Sequence, residues 1–71
     1  MNWHYISTKI TRKDGSVYWC VKEYYPKDDR LGAGWSEKPE IPYGESKKGL
    51  IRDLEMMLED CKKHKTLEEK E

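Results

Sequence analysis

Residues 3–25 hold two runs rich in apolar positions, separated by one polar stretch at Lys13-Asp14-Gly15-Ser16. The flanking runs, WHYISTKITR and VYWCVKEYY, are rich in β-branched and aromatic residues. Asp-Gly between such runs is a strong hairpin signal, because Gly accepts the positive φ that tight turns require. A two-residue loop is the expected geometry. It pairs Lys13 with Ser16, Ile10 with Trp19, Thr8 with Val21 and Ile6 with Glu23. A three-residue loop would instead set the isoleucines beside Tyr18 and Lys22. One slip moves a whole strand to the opposite face, so the aliphatic grouping favours the two-residue register. Its core face is Ile6, Thr8, Ile10, Val17, Trp19 and Val21. The other face gathers Trp3, Tyr5, Lys9, Tyr18, Cys20, Lys22 and Tyr24.

Pro26, which lacks a backbone N–H, marks the end of the second strand, and residues 27–30 form a polar turn. Gly34 to Glu37 is expected as a brief third strand antiparallel to the second, with Trp35 closing one end of the core. A phosphate loop at Leu31-Gly32-Ala33-Gly34 lacks both the strand–loop–helix context and the Lys-Ser/Thr ending. Pro39 and Pro42 force an extended connector, since the residue before a proline avoids helical geometry. Such spacing also fits a polyproline ligand, though a plain crossing loop accounts for it.

From residue 47 the period changes to 3.6. Ser46 is a good N-cap, and Leu50, Ile51, Leu54, Met57, Leu58 and Cys61 form one apolar stripe. Glu59 and Asp60 precede Lys63 and His64 in the favourable i, i+4 order, and Lys62, Lys63 and Lys65 suit the helix dipole. Gly49 weakens the first turn. Residues 66–71 are charged and predicted to fray. The predicted fold is therefore α+β: a three-stranded antiparallel β-meander with one C-terminal amphipathic helix on one face, βββα. It occupies residues 1–65 as a single domain, with 66–71 as a tail.

The 71 residues carry 14 basic and 14 acidic side chains, and hydrophobic residues make up 35%. A core this small commonly needs help from a disulfide, a metal or oligomerisation. Cys20 and Cys61 fall on different predicted faces, which favours reduced thiols and a cytoplasmic location. His4 and His64 lack the paired spacing of a zinc site, so no metal or cofactor is expected. Oligomerisation is left, and a homodimer is expected. Zero net charge argues against non-specific duplex binding, which needs an excess of Lys and Arg. No apolar run suggests a membrane span, and the first residues lack a signal-peptide pattern.

The Asp-Gly hairpin, the Tyr18-x-x-Val21 strand and the Pro42-x-Gly44-Glu45-Ser46-x-x-x-Leu50-x-x-x-Leu54-x-x-x-Leu58 run resemble a group of small bacterial and phage proteins without assigned function. More distantly, residues 5–61 are similar to the N-terminal domain of HicB-type antitoxins, which has a partial RNase H-like fold. Those domains add a strand after the helix, where this sequence has its charged stretch. The resemblance implies a small protein that binds and blocks another macromolecule.

Candidate site residues follow from the face that the helix leaves bare. Trp3, Tyr5, Tyr18 and Tyr24 with Lys9 and Lys22 would make an aromatic and cationic surface too costly to leave in water. Self-association, protein recognition and base stacking all suit it. Arg52, Met56 and Glu59 form a secondary candidate on the helix. There is no Ser–His–acid set or carboxylate pair, so no enzymatic activity is expected. The expected function is a protein-directed modulator or inhibitor of antitoxin-like or phage anti-defence type. The alternative is binding of nucleotides or single-stranded nucleic acid on the aromatic face.

Overall fold

The computed structural model describes residues 2–26 and 32–71. The turn expected at residues 27–30, and Leu31, lie outside the described residues. The chain forms β1 (His4–Thr11), β2 (Val17–Tyr25), β3 (Gly34–Trp35), α1 (Lys47–Lys63) and β4 (Leu67–Lys70). The strands make one curled mixed sheet in the order β3-β2-β1-β4. The α+β class holds, and β3 pairs antiparallel with β2 as expected. The meander is incomplete as a description, because a fourth strand lies on the far side of β1.

The hairpin adopts the three-residue loop. Thr11 pairs with Val17, Ile10 with Tyr18, Thr8 with Cys20 and Ile6 with Lys22. The turn explains the choice. Gly15 N–H donates to Arg12 C=O at 2.9 Å and Arg12 N–H to Ser16 C=O at 2.8 Å. Within the turn only Gly15 has positive φ, +90°, whereas a two-residue type I′ turn would demand it of Asp14 as well. Asp14 acts as a local acceptor instead, taking Ser16 N–H at 2.9 Å and Ser16 Oγ–H at 2.7 Å. These bonds hold the Asp14 carboxyl below the usual carboxylate range.

The corrected register rearranges both faces. His4, Ile6, Thr8 and Ile10 now share one face with Tyr18, Cys20, Lys22 and Tyr24. Its centre is the interior: Ile6, Thr8, Ile10 and Lys22 are all buried. Trp19, expected in the core, is turned to the other face and is 61% exposed.

Residues 66–71 are not a frayed tail. β4 runs parallel to β1, pairing Thr8 with Leu67 and Ile10 with Glu69. Glu71 N–H extends the ladder onto Thr11 C=O. Lys22, only 1% exposed, reaches from β2 across β1 to Glu69 Oε1 at 2.8 Å, and donates to Glu37 C=O at 2.9 Å. A buried ammonium is tolerated only when paired and hydrogen-bonded, and this pair ties β4 and the connector to the sheet.

The helix begins as expected. Ser46 Oγ accepts Gly49 N–H at 3.0 Å, and at the far end His64 N–H donates to Asp60 C=O. A Cβ at Gly44 would overlap the backbone of Gly49 and Leu50, so the chain can enter the helix this tightly only with glycine there. α1 packs on β1, but rotated from the expected setting. Met57 is the buried helix residue, while Ile51, Leu54 and Leu58 are exposed. Asp53 and Asp60, one turn either side of Met57, meet β1 instead.

Candidate functional site

Tyr5 is the hub of the most elaborate polar network. Its N–H donates to Asp60 Oδ2 at 3.0 Å and its hydroxyl to Asp53 Oδ1 at 2.6 Å. The other Asp53 oxygen accepts Tyr43 N–H at 2.8 Å. One helix carboxylate therefore fixes a strand and the connector together. Tyr5 ionisation is pushed well up, first by burial and then by the Asp53 carboxylate. Asp53 is held low by the Tyr5 hydroxyl and the Tyr43 amide. Opposite Tyr5 across the hairpin stands Glu23, which accepts the Tyr25 hydroxyl, a bond that raises Tyr25 ionisation. Glu40 lies close by, its carboxyl raised by burial and then by Glu23.

The connector is pinned along its length. Ser36 N–H donates to Glu23 C=O, Glu40 N–H to Val21 C=O, and Tyr43 N–H to Asp53. Between and beyond these ties, Ile41 and Tyr43 are 79% and 70% exposed, the two most exposed large hydrophobics among the described residues. Pro39 and Pro42 fix φ on either side of Ile41. Apolar side chains are thus presented on backbone already held in place. Trp3 packs edge-on against Tyr5, with ring centroids 5.1 Å apart, and is itself exposed. Met56 follows Asp53 by one helical turn and is also exposed. Trp3, Tyr43 and Met56 are thus tied to the Tyr5–Asp53 pair by a ring contact, a backbone hydrogen bond and one helical turn, respectively.

The expected aromatic face is divided between the two sides of the sheet. Trp3, Tyr5 and Lys9 stay on one side, whereas Tyr18, Lys22 and Tyr24 are on the other, the direct result of the register. Tyr5 and Lys22 are buried and serve the fold. Tyr18 lies beneath the Arg12 guanidinium, 4.2 Å from its ring centroid, a cation–π contact. Arg52, Met56 and Glu59 share one exposed helix stripe as expected, and it adjoins Asp53. Ile41, Tyr43 and Asp53 were not anticipated. The proline spacing was the available signal for the first two; the long-range partner of Asp53 left none.

A second feature was also unforeseen. Trp35, Tyr24 and His4 are lateral neighbours on β3, β2 and β1, and His64 continues the row. Successive ring centroids are 6.5, 5.3 and 3.6 Å apart, with His4 and His64 stacked nearly parallel. Four of these elements' neighbours, Ile6, Lys65, Thr66 and Leu67, complete an open groove of about 280 Å³ with His4, Tyr24 and His64. Two stacked imidazoles cannot converge on one metal ion. Among the described residues no group of three or more His, Cys, Asp or Glu is placed to hold one. Cys20 and Cys61 are both free thiols, each raised by burial. No helix among the described residues is long and apolar enough to cross a membrane.

Comparison with family models, curated proteins and solved structures found no match for this chain.

Proposed function

We propose that this protein is a small, non-enzymatic, cytoplasmic binding protein that recognises another protein, as a modulator or inhibitor of antitoxin-like or phage anti-defence type. The observation that supports this reading most is the pinned connector. Ile41 and Tyr43 stand out from backbone held at Val21 and Asp53, so little further ordering is required on binding. Trp3, against Tyr5, and Met56, one helical turn after Asp53, are further exposed apolar side chains, and aromatic anchors with a polar rim are the usual makeup of binding hot spots. Arg52 and Glu59 supply that rim.

A second reading is favoured by the Trp35–Tyr24–His4–His64 row. Stacked rings beside Lys65 suit a nucleobase with its phosphate, so nucleotides or single-stranded nucleic acid are the alternative ligand. The neutral net charge gives such a ligand little long-range attraction.

Affinity capture from a host lysate separates the two. The expected result is a protein retained by wild type and lost from Ile41→Ser/Tyr43→Ser, with Tyr24→Ala/His64→Ala behaving as wild type. Loss in the groove variant, together with salt-sensitive binding of oligonucleotides, selects the alternative.

A further inference from the structure

We propose that the groove between β1, β2 and the α1–β4 junction holds one mononucleotide, a nucleobase carrying a single phosphate group, as a small-ligand site separate from the pinned connector. The inference rests on the nucleotide reading of the ring row and narrows it to a single nucleotide. It is independent of protein recognition at Ile41 and Tyr43. The groove has about 280 Å³, at the small end of ligand sites, so it suits one base with its sugar phosphate rather than a strand. Its lining is divided by chemistry. Ile6, Leu67 and Tyr24 make the apolar part, and Ile6 is buried. His4, His64 and Lys65 bring the nitrogen groups, with the two imidazoles stacked at 3.6 Å and Lys65 next in the chain.

Each part of the lining matches one part of that ligand. Tyr24 stands between Trp35 and His4 in the ring row, and aromatic rings on a sheet are platforms on which any base can stack. His4 Nδ1 lies 2.7 Å from Tyr5 C=O, and because a carbonyl only accepts, Nδ1 carries the hydrogen. Nε2 is then the nitrogen left to a ligand. It accepts a base N–H when the ring is neutral and donates to a phosphate oxygen when the ring is charged. Lys65 is exposed and lies between α1 and β4, where its ammonium can meet a phosphate at the groove without leaving water. One ammonium and two imidazoles match a single phosphate. A strand would need a succession of cations along its backbone, and a net charge of zero leaves no such excess. A phosphotyrosine side chain also joins a ring to a phosphate, but phosphopeptides are read by arginine clusters. Among the described residues no arginine lines the groove.

Two-dimensional NMR of the full chain labelled with nitrogen-15 tests this by titration. The probes are adenosine 5′-monophosphate, uridine 5′-monophosphate, adenosine, inorganic phosphate, O-phosphotyrosine and a DNA hexanucleotide. The expected result is saturable shifts at His4, Tyr24 and Lys65 to Leu67 with both monophosphates, at a Kd of about 1 mM or tighter. Adenosine and inorganic phosphate should each bind at least about 10-fold more weakly, because each fills only half of the groove. Tyr24→Leu should weaken the monophosphates about 5- to 100-fold, the usual effect of removing a stacking ring. Lys65→Ala removes an exposed side chain and so keeps the test open if the Tyr24 variant unfolds. It should weaken the monophosphates at least about 5-fold and leave adenosine unchanged. No saturation by about 10 mM, shifts confined to residues outside the groove, or phosphate or phosphotyrosine binding as tightly as the monophosphates would each overturn the proposal. A hexanucleotide bound at the groove at least about 10-fold more tightly than the monophosphates, with steep salt dependence, would also overturn it while leaving the nucleic-acid reading standing. Loss of every nucleotide probe would end both, without bearing on protein recognition.

Discussion

Removing the Glu69 carboxylate and removing the Lys22 ammonium should have very different costs, although they break the same ion pair. Lys22 is 1% exposed, so its charge is held in place only by Glu69 Oε1 at 2.8 Å and the Glu37 carbonyl at 2.9 Å. Glu69 is 30% exposed and can return to water. In Glu69→Ala the ammonium is left buried with one neutral acceptor. Orphaned buried charges cost roughly 3–5 kcal/mol, and access of water on the Glu69 side places this one near 3 kcal/mol. Lys22→Met replaces the stem with an apolar side chain of similar length and leaves an exposed carboxylate, so about 1 kcal/mol or less is expected. The double variant Lys22→Met/Glu69→Leu should lie within about 1 kcal/mol of wild type, for the same reason. A domain of this size has roughly 4–11 kcal/mol in total, so the first loss is a large fraction. Urea denaturation at fixed protein concentration measures all three, and Glu69→Ala should lower the melting temperature by about 12 °C or more. Equal costs for the two single variants, or a double variant as unstable as their sum, would refute the reasoning. So would strong salt dependence, because a pair this buried is poorly screened.

Gly44→Ala should destabilise by about 2–3 kcal/mol, because its Cβ meets the backbone of Gly49 and Leu50 rather than a movable side chain; urea titration of that variant checks it. Trp19→Ser should cost within about 0.5 kcal/mol, as for an exposed position, whereas a core tryptophan would cost roughly 3–5 kcal/mol; the same titration therefore tests the hairpin register. For the Tyr5–Asp53 bond the sign is opposite at the two ends of the pH scale. Asp53 ionises at lower pH when folded, so its contribution is full above the ordinary carboxylate range and is lost as pH falls through the depressed value. Tyr5 ionises at higher pH when folded, so its contribution is full below about 10 and declines as pH rises further. Urea midpoints followed against pH should show both declines in wild type, and Tyr5→Phe should weaken the alkaline one, leaving the part carried by Tyr25, Cys20 and Cys61.

The elements whose cause is local were legible in the sequence. Ser46 caps the helix, the Asp-Gly turn closes a hairpin, and the prolines keep residues 39–44 extended. The features that depended on distant partners were not. Asp-Gly serves both a two-residue and a three-residue loop, and only Gly15 at positive φ distinguishes them. Grouping the aliphatics chose the wrong register because Lys22 looked unfit for a core. Its partner is 47 residues away, at Glu69. The same pair disguised β4: Leu-Glu-Glu-Lys reads as solvated tail until Glu69 is seen pointing inward. The helix stripe was found, but its orientation was set by Asp53 and Asp60 binding Tyr5, which no periodicity records. The candidate site moved accordingly. Trp3 and Met56 remain exposed, while Tyr5 and Lys22 became structural and Ile41 and Tyr43 took their place.

The most direct test of protein recognition through the pinned connector is quantitative capture on wild type and on Ile41→Ser/Tyr43→Ser in parallel, with circular dichroism showing both folded. The expected result is one or more proteins bound stoichiometrically by wild type and reduced at least about 10-fold by the double substitution, the effect of losing about 1.4 kcal/mol or more at a hot spot. Equal capture by the two, or no protein bound by wild type, would contradict it.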